Sequence, residues 1–335
     1  MNLPTNRSKG EISFIVWIRA ISVFLILLCH LTEVHSNGYV VMTSQIFNVG
    51  VNIFIIVSGF LFGRFGVNPP YGRWLAKRVK RIFVPYWLFL VVALTLLVAA
   101  GTHLSATHVV MNILGLHGFA FGLPGSSHTW FITAILLCYL FTPLMAIITD
   151  YVISKDGHLH RNILIVVLCI PAAIGAGLYS AIVMTVPFYF LAFLMGKLWD
   201  ESKIKPIHAM IALCIGAAVF ILRFLARFVL DNTVWYTNLI APYTHYLAAF
   251  SFFIAGARLF DRVPCRFVRF INDISFEIYL FHYFYMHPAS PVMTLTGNWF
   301  LNSAIAILLT LPTAWAANRL VASLSCFLSK FHHSN

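Results

Sequence analysis

The sequence predicts an all-α fold: a polytopic membrane helix bundle of about ten transmembrane helices with both termini cytoplasmic. Three observations carry that prediction. Of 335 residues, 60% are hydrophobic and only 10% are charged, against roughly 25% charged in soluble domains. Mean hydropathy is +0.87, and apolar runs of span length recur from end to end. The net charge of +12 is spread in short clusters between those runs, a pattern of membrane topology rather than the continuous basic stripe of a nucleic-acid binder. Soluble enzymes, disordered chains and disulfide scaffolds are thereby excluded. Lipid is the expected surrounding, and nucleic acid is not an expected partner.

A helical span needs about 20 mostly apolar residues. Ten segments meet that need: 14–32, 44–63, 82–101, 129–148, 162–181, 183–199, 207–228, 239–257, 267–287 and 300–326. The sixth is short and the fifth carries Pro171. Residues 103–122 are apolar but hold His103, His108 and His117 with three glycines, which suits a re-entrant or interfacial segment better than a span. No soluble domain, repeat or appended hydrolase-like domain is visible, so residues 1–335 read as one membrane-embedded domain.

Cations then test the count. Nineteen of the 22 fall on one side of this topology: Arg7 and Lys9; Arg64, Arg73, Lys77, Arg78, Lys80 and Arg81; Lys155 and Arg161; Lys197, Lys203 and Lys205; Arg258, Arg262, Arg266 and Arg269; Arg319 and Lys330. Cytoplasmic loops collect positive charge, so these define the inner face. Arg19, Arg223 and Arg227 need another explanation. The two N-terminal cations before an apolar run resemble a signal peptide, but no small-residue cleavage site follows, and the run reads as a retained first span. The six cysteines are scattered singly with no CxxC spacing, which indicates neither a disulfide framework nor a zinc site. No HxxxH or HExxH pattern supports a metal among the many histidines near the outer face, His128 and His245 included.

Ionisable side chains inside a span are expensive and mark function by default. Arg19 and His30 are eleven residues apart, three helical turns plus about 20°, so they share a face and stand about 16 Å apart along the axis. Glu33 lies one turn beyond His30. Snorkelling of Arg19 to headgroups and interfacial packing of His30 is the equally weighted alternative. In the ninth span I-S-F-E-I-Y-L-F-H places Glu277, Tyr279 and His282 in an apolar run. Glu277 reads either as a neutral structural group or helix-helix partner, or as part of a site.

Together these stretches resemble the acyltransferase 3 family of multispanning membrane acyltransferases. The family's Arg, ten residues, His signature is similar to Arg19 and His30. Its S-G-F motif resembles Ser58, Gly59 and Phe60. Its R-x-x-R run before an apolar residue and proline resembles Arg78, Arg81 and Pro85. Its W-F block resembles Trp130, Tyr139 and Pro143, and its late I-S-x-x-I-Y-L-x-H resembles the stretch ending at His282. Two departures stand out: Ile135 where many members carry Glu, and Glu277 where a small residue is common. The first resembles the branch of the enterobacterial common antigen O-acetyltransferase and exopolysaccharide acyltransferases.

The resemblance implies a multi-pass enzyme of the bacterial inner membrane. It implies that an acyl group, acetyl foremost, moves from cytoplasmic acyl-CoA to a hydroxyl of a glycan or lipid-linked sugar outside, with no permanently bound cofactor. His30 is then the candidate base, because its ordinary pKa is near the operating pH, and Glu33 would orient it. Arg78 and Arg81 would hold CoA phosphates from a cationic loop, with the donor passing Arg19. Tyr279, His282 and Asn52 are candidates for the oxyanion donor. Ser58 stays open between carrying an acyl group and marking a tight helix-end turn. A transporter or flippase is the alternative reading.

The topology is directly testable. Reporter fusions after residues 38, 120 and 293 are expected to read outside and those after 75 and 262 inside; a cytoplasmic reading at 120 overturns the assignment of 103–122.

Overall fold

A computed structural model describes residues 12–67, 70–154, 181–200, 203–230, 241–288 and 290–333, with isolated positions between 160 and 168. All regular structure among them is helical. The helices are α1 (Ser13–Glu33), α2 (Gly38–Phe47), α3 (Gly50–Phe65), α4 (Tyr71–Ala99), α5 (Ala106–Ile113), α6 (Trp130–Ser154), α7 (Ala181–Lys197), α8 (Pro206–Leu230), α9 (Ala241–Leu259), α10 (Arg266–Asp273), α11 (Ser275–Phe281), α12 (Tyr283–Met286) and α13 (Trp299–His333).

Six stretches among the described residues are long and apolar enough to cross a membrane: Ser13–Glu33, Gly38–Phe65, Tyr71–Ala99, Ser127–Ser154, Pro206–Ala226 and Trp299–Cys326. The expectation of ten is thus supported for six. The fifth expected span lies mostly outside the described residues, as do Arg7, Lys9, Lys155, Arg161 and the Arg227 side chain. The sixth appears as the shorter apolar helix Met184–Lys197. The ninth is a helical run interrupted at Ile274 and His282. Its hydrogen-bond ladder continues across both breaks, with the Ile278 N–H donating to Ile274 and the Met286 N–H to His282.

Two expectations change. The cationic loop is not a loop: Arg73, Lys77, Arg78, Lys80 and Arg81 occupy the first three turns of α4. Lys, Arg, Leu and Ala are good helix formers, so the stretch after Pro70 coils once apolar residues further along give the helix a packed end. The S-G-F motif is not a helix-end turn either, since α3 runs unbroken from Gly50 to Phe65. Segment 103–122 forms only the eight-residue α5 and a 3₁₀ turn at His117–Phe119, too short to span.

Helix α1 stands inside the bundle and buries two faces. Phe14, Ile15, Ile18 and Ile26 pack with Ile53, Ile56 and Phe60 of α3. Val16, Ala20, Val23, Leu27 and Leu31, a stripe at three- and four-residue steps, pack with Val268, Ile271, Ile274 and Ile278. With no Pro or Gly between Ser13 and Glu33, nothing bends it.

Close approach of α3 and α7 is set by glycine. A Cβ on Gly59 would stand 2.4 Å from the Tyr189 carbonyl oxygen, one on Gly63 2.0 Å from that of Phe193, and one on Gly196 2.1 Å from that of Phe60. This is the small-residue contact by which membrane helices pack backbone to backbone when lipid supplies no hydrophobic drive. Phe60 then fills the space beside the crossing, in ring contact with Trp199 at 5.0 Å and Phe253 at 4.8 Å. One of the three unexplained cations also finds its place: Arg223 of α8 is 1% exposed and donates to His245 of α9.

Gly63→Ala is expected to lower stability by on the order of 1–3 kcal/mol through overpacking, read as a fall in thermal midpoint of the detergent-solubilised protein. Gly216→Ala, where the nearest atom to the new methyl is Ser251 Cβ at 3.5 Å, is expected to leave it unchanged or raised.

Candidate active site

Polar groups occur in two layers joined by α1. At the Arg19 end, the guanidinium donates to Ser275 Oγ at 3.2 Å and lies 6.0 Å from the Phe54 ring centroid. Arg81, Asp273 and Glu277 are within its electrostatic reach. Glu277 is 5% exposed and accepts from Asn318 Nδ2 of α13 at 3.1 Å. Arg19 is therefore held by a neighbouring helix, which disfavours free snorkelling.

Beside it three of the sequence motifs meet. Arg78 stacks over the Phe62 ring at 4.9 Å, and Phe62 is in edge contact with Trp74 at 5.0 Å and Tyr139 at 5.3 Å. The Tyr139 hydroxyl lies within electrostatic reach of Ser58, Arg78 and Arg81. Residues from α3, α4 and α6 thus build one cationic, aromatic corner. Arg78 Nε is buried there with no protein partner.

Between the layers lies an apolar void of about 10 Å³ lined by Val51, Phe54, Phe131, Phe276 and Tyr279. Its lining is apolar apart from the Tyr279 hydroxyl, which is turned to the His128 carbonyl.

At the far end of α1, His30 Nδ1 donates to Glu33 Oε2 at 3.1 Å, which leaves Nε2 as the basic nitrogen. Its ring stands 5.0 Å from that of His282 and 4.9 Å from that of Tyr283. His128 completes the group, 5.2 Å from His282 and 4.7 Å from Tyr283. The sequence alone raised His128 only as one histidine among many and Tyr283 not at all. Both sit on segments far from α1 in the chain, and no local spacing reports their meeting.

The segment carrying His128 is held from above. Tyr86 of α4 donates its hydroxyl to His117 Nδ1 at 3.1 Å, and His117 Nε2 donates to the Thr129 carbonyl at 3.0 Å. Burial holds the His117 imidazole below its ordinary range, so it stays neutral and keeps the Nδ1 lone pair that Tyr86 needs. Asn112 of α5 stands with its Oδ1 3.3 Å from the Tyr86 hydroxyl and donates to the His108 and Phe121 carbonyls, each at 2.8 Å.

Of the expected site residues, His30, Glu33 and His282 come together, and Arg19, Arg78, Arg81, Ser58 and Glu277 gather at the other layer. Two oxyanion candidates are committed elsewhere. The Tyr279 hydroxyl donates to the His128 carbonyl, and Asn52 lies beside Tyr246, whose hydroxyl pairs with Thr185 at 2.9 Å. His282 has already donated its Nδ1 proton to the Tyr279 and Ile278 carbonyls. Trp130 packs at the edge of the main core beside the His128 turn.

Apolar helices of span length carry buried ionisable side chains in two layers, as an integral membrane protein with functional groups inside its spans does. A family model described as an acyltransferase domain matches residues 12–319, and the chain belongs to the acyltransferase 3 family. No curated protein matches, and no solved structure does.

Tyr86→Phe is expected to leave His117 Nδ1 buried without a donor and to cost about 1–3 kcal/mol. The check is the thermal midpoint in detergent; an unchanged midpoint would mean that this network does not hold the segment.

Proposed function

We propose that this membrane acyltransferase is an O-acetyltransferase of the bacterial inner membrane, moving acetyl from cytoplasmic acetyl-CoA to a hydroxyl of a cell-surface or lipid-linked polysaccharide on the outer side. The carrying observation is α1 itself. It sets Arg19, near Arg78 and Arg81, at one side of an apolar gap and the His30–Glu33 pair at the other. In this reading the arginine corner takes the CoA phosphates by charge-assisted bonds, and the slim thioester arm crosses the gap. The preference for a glycan rests on the sequence branch marked by Ile135.

At the imidazole layer, His30 Nε2 removes the proton as the acceptor oxygen attacks the thioester carbonyl. Glu33 stabilises the imidazolium so formed. Collapse of the tetrahedral intermediate breaks the carbon–sulfur bond, and His30 returns its proton to the thiolate, giving the ester and free CoA. With Tyr279 and Asn52 committed, Tyr283 is the better oxyanion donor: its ring touches His30, and its hydroxyl accepts from Ser127 at 3.5 Å, which leaves its own proton to give.

The test is label transfer from radiolabelled acetyl-CoA to envelope glycans by the purified protein. His30→Ala is expected to lose about 10²–10⁴-fold in rate with insertion intact, and Glu33→Gln less. Arg78→Gln with Arg81→Gln is expected to raise KM for acetyl-CoA, each lost charge-assisted bond being worth about 1.5–3 kcal/mol. Lys203→Gln with Lys205→Gln serves as the control. Wild-type transfer by His30→Ala would remove the base, and equal behaviour of the two cation pairs would reduce the corner to a topology signal.

A further inference from the structure

The imidazole layer holds more than a base. His128 is 5% exposed and His282 is 0% exposed, and each has one ring nitrogen bound to backbone. His128 Nε2 meets the Leu280 carbonyl at 3.2 Å, and His282 Nδ1 meets the Tyr279 carbonyl at 2.8 Å and the Ile278 carbonyl at 3.1 Å. A carbonyl can only accept, so those nitrogens carry the protons and the tautomers are fixed. The opposite nitrogens, His128 Nδ1 and His282 Nε2, are therefore bare lone pairs, and both are buried with no partner in the protein. They point away from the α11 backbone that holds the other edge of each ring.

A buried acceptor without a donor is costly, and two in adjoining rings call for a ligand that donates. Two lone pairs repel an anion, and among the described residues no group of three or more His, Cys, Asp or Glu side chains could hold a metal ion. What fits is a neutral hydroxyl donor. His282 also touches His30 at 5.0 Å between ring centroids, so a hydroxyl held by the pair stands beside the one that reacts.

We propose that His128 Nδ1 and His282 Nε2 accept hydrogen bonds from the acceptor substrate, which is a vicinal diol: one hydroxyl is acylated at His30 while its neighbour donates to the pair. This rests on the acyl-transfer reading and narrows its acceptor to a sugar or polyol with adjacent free hydroxyls. His128 and His282 are then acceptor-binding residues, and His282 is not the oxyanion donor expected of it.

The probes are cis-cyclohexane-1,2-diol and cis-2-methoxycyclohexanol with radiolabelled acetyl-CoA. The methyl ether keeps the neighbouring oxygen but removes its proton. The wild-type protein is expected to acetylate the diol at least about tenfold faster, since a site built to receive a hydroxyl discriminates against its loss. His128→Gln keeps an amide donor for the Leu280 carbonyl but loses the Nδ1 acceptor, and it is expected to bring the ratio near one with KM for acetyl-CoA unchanged. His282→Asn, which keeps a donor for the Tyr279 carbonyl, is expected to do the same. His128→Asn retains an acceptor near the Nδ1 position and should keep part of the ratio, which a merely structural role would not produce. Thermal midpoints confirm that each variant folds. Equal transfer to the two probes by wild type, or to neither, overturns the proposal, as does a raised KM for acetyl-CoA in His128→Gln, which would give the pair to the amide of the donor arm. Loss of transfer to every glycan instead removes the acyl-transfer reading itself.

Discussion

Ionisable side chains are costly in hydrocarbon, and the contacts that Arg19 and His30 make join α1 to the α10–α12 run along most of its length. Arg19 donates to Ser275 and His30 touches His282. The two contacts are eleven residues apart on α1 but seven on its neighbour, a difference of four residues or about 6 Å of rise. Arg19 covers that difference because its side chain is long, whereas the imidazoles must meet directly. The ten-residue interval between Arg19 and His30 is thereby matched to a second interval, from Ser275 to His282, and the apolar stripe of α1 packs in the space between.

The S-G-F motif divides its labour in the same way. Ser58 faces Tyr139 in the arginine corner. Gly59 lets the α7 backbone approach, and Phe60, fully buried, fixes the aromatic core beside Phe14, Trp199 and Phe253. Only the serine touches the site. The other two residues set where α3 lies, and so where Val51 and Phe54 close the gap between the polar layers.

Periodic and local signals were legible in the sequence. The long apolar runs gave most of the helices, and the one-turn step from His30 to Glu33 gave their hydrogen bond, because both follow from helical geometry within a single segment. The three-motif corner was legible as a set of motifs but not as one place. Pairings across the bundle were hidden. Tyr279 was expected to donate to an oxyanion, yet its hydroxyl is spent on the His128 carbonyl, 151 residues away in sequence. Glu277 was left open between structure and site, and its bond to Asn318 is a helix-to-helix contact that no spacing announces. The basic stretch 73–81 was read as a loop because its charge hides its helix-forming residues.

The apolar gap also bears on the choice between an enzyme and a transporter. A carrier must pass its whole substrate between the two layers, so polar groups would have to line the route at mid-depth, as they do where transporters bind. Here the lining is Val51, Phe54, Phe131, Phe276 and Tyr279, and the one hydroxyl among them is turned to the His128 carbonyl. A sugar crossing that ring would lose its hydrogen bonds with nothing to replace them, at a cost of several kcal/mol. An apolar lining at this depth impedes a carrier of polar substrates and agrees with the acyltransferase family to which the chain belongs.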